Sequence, residues 1–169
     1  MEALRILDTE GFEHLSMRVL AARVGINPMT IYHHFKDRNG LIKAVGDMVY
    51  SDVSAPGNCD TRIRIAGLLS AYRAKVIKHP ALTLAIFGQS AVFPDHAKKI
   101  TDDLGNLLGE LDISPELSML WVHILVDFTH GAALALAVNG ENNQHQSPID
   151  GAKDSYEKGI AELLKAINP

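Results

Sequence analysis

A chain of 169 residues, 47% of them apolar, has the length of one ordinary domain, or of a small N-terminal module on a larger body, and enough apolar side chains for a core. Its formal net charge is −4 and its one cysteine, Cys59, excludes an internal disulfide and a cysteine-built zinc cluster, which fits a reducing cytoplasm. The opening MEALRILDTEGF is amphipathic rather than continuously apolar, so no secretory leader is expected.

Period-3.6 patterning runs through almost the whole chain, and the expected fold class is all-α. A first helix is predicted at residues 1–11. Ser16 stands before an apolar-periodic run (Leu15, Val19, Leu20, Val24) and can cap a second helix at 17–24. Gly25 ends it, because glycine takes the left-handed C-terminal conformation without a Cβ penalty. Asn27-Pro28 then supplies a cap acceptor followed by a residue whose missing N–H costs nothing at the first helical position, so a third helix starts at 28–35.

That helix is too short to stand alone, so Ile31 and Phe35, spaced i, i+4, must face inward against Leu20 and Val24. Met29, Thr30, Tyr32, His33 and Lys36 are left outward, with hydroxyls, imidazole, a ring and a cation suited to phosphate oxygens and base edges. Between Ser16 and Lys43 the cations are Arg18, Arg23, Lys36, Arg38 and Lys43 against the single acid Asp37, in a chain that is acidic overall. A basic stripe on an acidic body turns one face toward a polyanion. Two short helices, a glycine turn and this charge are the layout of a helix-turn-helix that reads double-stranded DNA.

Asp37 can cap a fourth helix running to about Ser54, broken by Ala55-Pro56-Gly57-Asn58. Helices are predicted next at 61–78, 81–88, 95–111 and 115–139, the last behind Ser114 as cap, with a polar loop at 141–148 and a final helix at 149–167. The apolar stretch from Leu117 to Val138 is interrupted by His123, Asp127 and His130 and reads as a buried helix rather than a membrane span. These three sit at i, i+4, i+7 on one face among apolar neighbours, and a buried Asp127 would need a partner. Either the set orients a ligand or an ion, or it forms an internal His–Asp hydrogen bond or a polar patch at a dimer seam; no metal and no cofactor is assigned. Gly131, Ala132, Ala133, Ala135 and Ala137 allow close helix approach, and the two last helices are predicted to form a four-helix bundle with a second copy of the chain.

The segment GFEHLSMRVLAARVGINPMTIYHHFKDRNGLIKAV resembles the N-terminal domain of the TetR family of bacterial transcriptional regulators. The matching positions are Gly11, Ser16, Leu20, Ala21, Gly25 and Ile26, then Tyr32, His34, Phe35, Arg38 and Leu41, and the match covers about residues 3 to 48. The resemblance implies a helix-turn-helix domain over 1–50 and a helical effector-binding and dimerisation domain over 51–169. It also implies that Tyr32, Arg38 and Ser16 contact phosphates and that Arg18 reaches a base edge. Pro28, Met29, Thr30 and His33 would line the groove-facing side, with His34 near the DNA backbone. This face holds no Arg, Asn or Gln, the usual bidentate base readers, and so does not spell an operator sequence.

An effector pocket is expected among the helices 61–78, 81–88, 95–111 and 115–139, with Phe87, Phe93, Met119, Trp121, His123, Asp127, Phe128 and His130 as candidate lining. The function expected is a cytoplasmic, homodimeric, ligand-responsive regulator, a repressor, on a palindromic operator and released by a small molecule. The alternatives are a helix-turn-helix interaction protein without an effector, or a carrier or enzyme retaining the fold. Against an enzyme, the sequence shows no nucleophile–base pair, no Gly-rich phosphate loop and no convincing metal set.

Overall fold

The computed structural model describes residues 2–88, 93–140 and 148–168, so residues 141–147 of the expected polar loop lie outside the described residues. The described residues hold helices joined by turns and loops, without strands, and the chain forms two compact units: 1–51 with 79–98, and 52–78 with 99–169. The first unit takes in residues 79–98, which the sequence division at 50/51 assigns to the second domain.

In the first unit, α1 (Glu2–Glu10), a 3-10 turn (Phe12–His14), α2 (Met17–Val24), α3 (Pro28–Phe35) and α4 (Arg38–Tyr50) follow in order, and α6 (Pro80–Phe87) returns to pack on α1 and α4. Each boundary has a local cause. Ser16 Oγ accepts from the Val19 N–H at 3.2 Å, Asn27 Oδ1 from Met29 N–H at 2.9 Å and Asp37 Oδ1 from Gly40 N–H at 2.8 Å, satisfying amides that a helix start leaves unpaired. Gly25 closes α2 at φ 71°. The core is Ile6, Leu7, Leu15, Leu20, Ala21, Ile31, Leu41, Ile42 and Val45. Val24 remains largely exposed and, with Phe35 and Met48, borders an apolar cleft of about 320 Å³ between α1, α2, α3 and α4.

Helix α4 ends at Tyr50, short of the expected Ser54, where both the N–H and the hydroxyl of Ser51 donate to the Met48 carbonyl, at 3.5 and 2.8 Å, in place of the next i→i−4 bond. Its far end is held firmly within the same unit. Tyr50 Oη lies 3.2 Å from Thr83 Oγ1 of α6, and Gly46 lets Ile86 and Pro94 approach so closely that a Cβ would lie 2.5 Å from Pro94 Cγ.

The second unit holds α5 (Thr61–Lys78), α8 (Pro115–Gly140) and α9 (Pro148–Ala166), each packed on the other two, and most of α7 (Asp95–Gly109). Arg62 of α5 donates to the carbonyls of Leu164 and Ile167, using a cation to satisfy the C-terminal end of α9. The core is Ile65, Leu68, Leu69, Val76, Leu104, Leu108, Leu125, Ala133, Ile160 and Leu164.

Helix α8 departs from its expected burial. By length and composition, residues 115–137 could cross a membrane, with mean hydropathy 1.5, yet only 28% of that span is buried within the chain. Leu120, His123, Asp127, Gly131 and Ala135 form an exposed stripe along it. The buried-helix reading holds for one side of α8 alone, since α5 and α9 cover only that side.

Candidate nucleic-acid interface

The third helix of the first unit buries Ile31 and exposes Pro28, Met29, Thr30, Tyr32, His33 and His34, so the residues expected on the outward face are together on it. Its C-terminal end has a shape that sequence periodicity does not reveal. The Phe35 carbonyl accepts from Asp37 N–H at 2.7 Å around Lys36, whose φ of 60° and ψ of −57° describe a γ-turn, a rare and strained conformation for a residue with a side chain. The turn reverses the chain within three residues and leaves Lys36 exposed beside α3.

The five cations of this segment are not equivalent. Arg23 makes two 2.6 Å hydrogen bonds to Glu10, whose carboxyl is held below the usual carboxylate range mainly by that guanidinium. Lys43 pairs with Asp95 at 2.9 Å, which raises its ammonium pKa. Arg38 donates to the Phe12 carbonyl and lays its guanidinium over the Phe12 ring, 3.6 Å from the centroid. That seat ties the start of α4 to the 3-10 turn before α2, a role the local sequence did not signal because Phe12 is 26 residues away. Arg18 and Lys36 are exposed and make no ion pair among the described residues. Ser16 Oγ accepts the α2 cap bond and keeps its hydroxyl proton to donate to a phosphate oxygen.

The expected effector residues fall in both units. Phe87 and Phe93 belong to the first unit and are about half exposed; Met119, Trp121, His123, Asp127, Phe128 and His130 belong to the second. The His123, Asp127, His130 face is corrected by burial. His123 and Asp127 stand in solvent, so the carboxylate needs no protein partner, while His130 is buried and bonds Tyr72 Oη through Nε2 at 2.7 Å. Among the described residues no group of three His, Cys, Asp or Glu is placed to hold a metal ion. Met119 lines a groove of about 590 Å³ between α7 and α8 with Thr101, Asn106 and Ser118.

Around His130 the second unit carries a polar layer inside its helix packing. Thr129 Oγ1 lies 2.9 Å from Tyr156 Oη, burial pushes the Tyr156 phenol up to about 12, and the Phe128 ring stacks on Tyr156 at 5.8 Å. Burial lowers the His130 pKa from 6.5, a shift that the Asp127 charge opposes in part. A histidine that is harder to protonate folded than unfolded stabilises the fold fully above about pH 6.5, and that contribution is lost as pH falls below it. The midpoint of thermal unfolding is therefore expected to fall between pH 7.5 and pH 5.5 by more in the wild type than in His130→Gln, which keeps a polar partner for Tyr72 without titrating. Equal pH slopes by differential scanning fluorimetry would refute this.

Comparisons with known proteins fit this geometry. Residues 2–45 match the family model of bacterial regulatory proteins of the tetR family. Comparison of the sequence with curated proteins finds no match. Among solved structures, BioQ of Mycobacterium smegmatis is similar with a TM-score of 0.81 at 20% identity, over 96% of this chain and 91% of that one. BioQ with its natural double-stranded DNA operator gives 0.76 at 21% identity, over 96% and 91%. The Streptomyces coelicolor TetR family protein ActR in complex with actinorhodin gives 0.76 at 20% identity, over 97% and 91%. Residues 2–45 thus match the family model of bacterial regulatory proteins of the tetR family, on a chain whose fold is that of the solved TetR-family structures.

Proposed function

We propose that this chain is a ligand-responsive transcriptional regulator, a repressor, that binds a palindromic operator as a homodimer in the bacterial cytoplasm and is released by a small-molecule effector. The observation that carries the reading is the exposed α3 face, Pro28 to His34, flanked by the two unpaired cations Arg18 and Lys36. The tetR-family match over this segment and the operator-bound BioQ structure support it. Tyr32 and Lys36 are assigned to phosphates, Arg18 to a base edge or its adjoining phosphate, and Met29, Thr30 and His33 to the groove.

A dimer is what sets two recognition helices about 34 Å apart, one turn of duplex. The exposed Leu120, Gly131 and Ala135 stripe of α8 is the surface assigned to it, since apolar and small residues in the open favour a close helix pair. Effector control is assigned to the segment 79–98, because it shares a compact unit with α4 and grips it at Tyr50–Thr83, at Gly46 and at Lys43–Asp95. A ligand that shifts this segment moves α4 and so the docking distance, and a coupling of about 1–3 kcal/mol changes operator occupancy roughly 5- to 150-fold. The actinorhodin complex of ActR supports a ligand on this fold.

The test begins by selecting bound genomic fragments, followed by mobility shift over a salt series. Each lost phosphate contact lowers the salt slope by about one. The variant Lys36→Ala, present twice in a dimer, is expected to flatten it by about two and to retain the wild-type melting temperature. No retarded fragment at 50 mM salt would end the proposal.

A further inference from the structure

We propose that the groove between α5 and α9 binds a small apolar monocarboxylate, with the Arg73 guanidinium as the group that recognises its carboxylate. Arg73 is 7% exposed and has no carboxylate partner among the described residues. Its guanidinium lies 4.4 Å over the Tyr156 ring, one Nη reaches the Ala152 carbonyl at a long 3.4 Å, and the buried Nε has no acceptor. A buried cation left without an anion is costly, and a bidentate carboxylate is the partner its planar fork matches.

The groove supplies the rest of the ligand's contacts. Its volume is about 350 Å³, and its walls are Ile63, Ala66, Gly67 and Ser70 of α5 against Tyr156 and Ile160 of α9, with Pro56 over Gly67. The α5 residues share one stripe at helical spacing, and Arg73 is its next member after Ser70. Tyr156 is common to both features: its ring is part of the groove wall and carries the guanidinium. Glu157, also at the groove, is half exposed and faces Lys153 at 3.8 Å, so its charge is met by water and a cation. Arg73 stands one turn beyond the groove-lining Ser70, on the far side of the shared Tyr156 ring, so a ligand whose carboxylate reaches past Ser70 meets the cation, and an organic anion is selected over a neutral molecule of equal size.

This site lies apart from the residues assigned above to effector control, and its test uses the free protein without DNA, so its failure leaves operator binding untouched. Isothermal titration with hexanoate and hexanamide reads it. Hexanoate is expected to bind the wild type, with hexanamide and the Arg73→Met variant each weaker by roughly 10- to 100-fold. Ala66→Phe fills the groove without touching Arg73 and is expected to abolish binding. Arg73→Met is expected to keep or raise the melting temperature in the absence of ligand, because methionine removes an unpaired buried charge. Absence of hexanoate binding to the wild type, equal binding by Arg73→Met, or equal affinity for hexanamide would each overturn the proposal. A lowered melting temperature in Arg73→Met with hexanoate binding intact would assign Arg73 to the fold alone and overturn it as well.

Discussion

Gly131→Arg is expected to convert the protein to a monomer and to abolish operator binding while leaving each chain folded. A Cβ at Gly131 meets nothing within 4 Å in the chain, and the residue lies mid-helix on the exposed side of α8. In an isolated chain the substitution is favourable by about 0.5–1 kcal/mol, since arginine is a good helix former and glycine a poor one. In a dimer that packs α8 against its copy, the same side chain appears twice in the seam and drives the helices apart. Loss of affinity between protomers of about 1000-fold, roughly 4 kcal/mol, is expected by sedimentation. The helical circular dichroism should be unchanged or stronger. A dimer as tight as wild type would remove this surface as the seam and send the search to another face.

Gly40→Ala should do the opposite, destabilising the first unit while leaving the second as stable as before. Its added Cβ would lie 2.1 Å from the Phe35 carbonyl oxygen and 3.1 Å from the carbonyl carbon, both backbone atoms held by the γ-turn. Neither can retreat without breaking the Phe35–Asp37 hydrogen bond or the Asp37 cap on Gly40. The cost is expected to be about 3 kcal/mol or more, a fall in the first unit's Tm of roughly 12–24 °C. DNA binding should fail in step with it. An alanine variant as stable as wild type would show that the turn relaxes, and with it the strain at Lys36 would lose its significance. Two glycines of one chain are thus expected to respond in opposite senses, one because its neighbour is backbone, the other because its neighbour in the proposed dimer is a second molecule.

Much of the first unit was legible because its signals act within four residues. Ser16, Gly25, Asn27-Pro28 and Asp37 meet their partners one turn away, and the observed boundaries of α2 and α3 coincide with the expected ones. The exposed face of α3 followed from the same periodicity, with Ile31 turned inward. The polar set on α8 misled for a physical reason: spacing places residues on one side of a helix but does not say whether that side is covered. Asp127 and His123 proved to be in water, and His130 found its partner in Tyr72 of α5, 58 residues distant.

Local chemistry therefore determined where helices start and stop, which short pair forms the turn motif, and that this segment gathers cations. Tertiary structure alone decided which of those cations are free. Arg23 is spent on Glu10, Lys43 on Asp95 and Arg38 on Phe12, pairings made across distances in sequence that no helical period encodes. Capping is a short-range equilibrium between a side chain and adjacent amides, whereas ion pairing and burial depend on which surfaces the folded chain brings together. For that reason the candidate interface could be read from the sequence, but Arg18 and Lys36 could be singled out only from the fold.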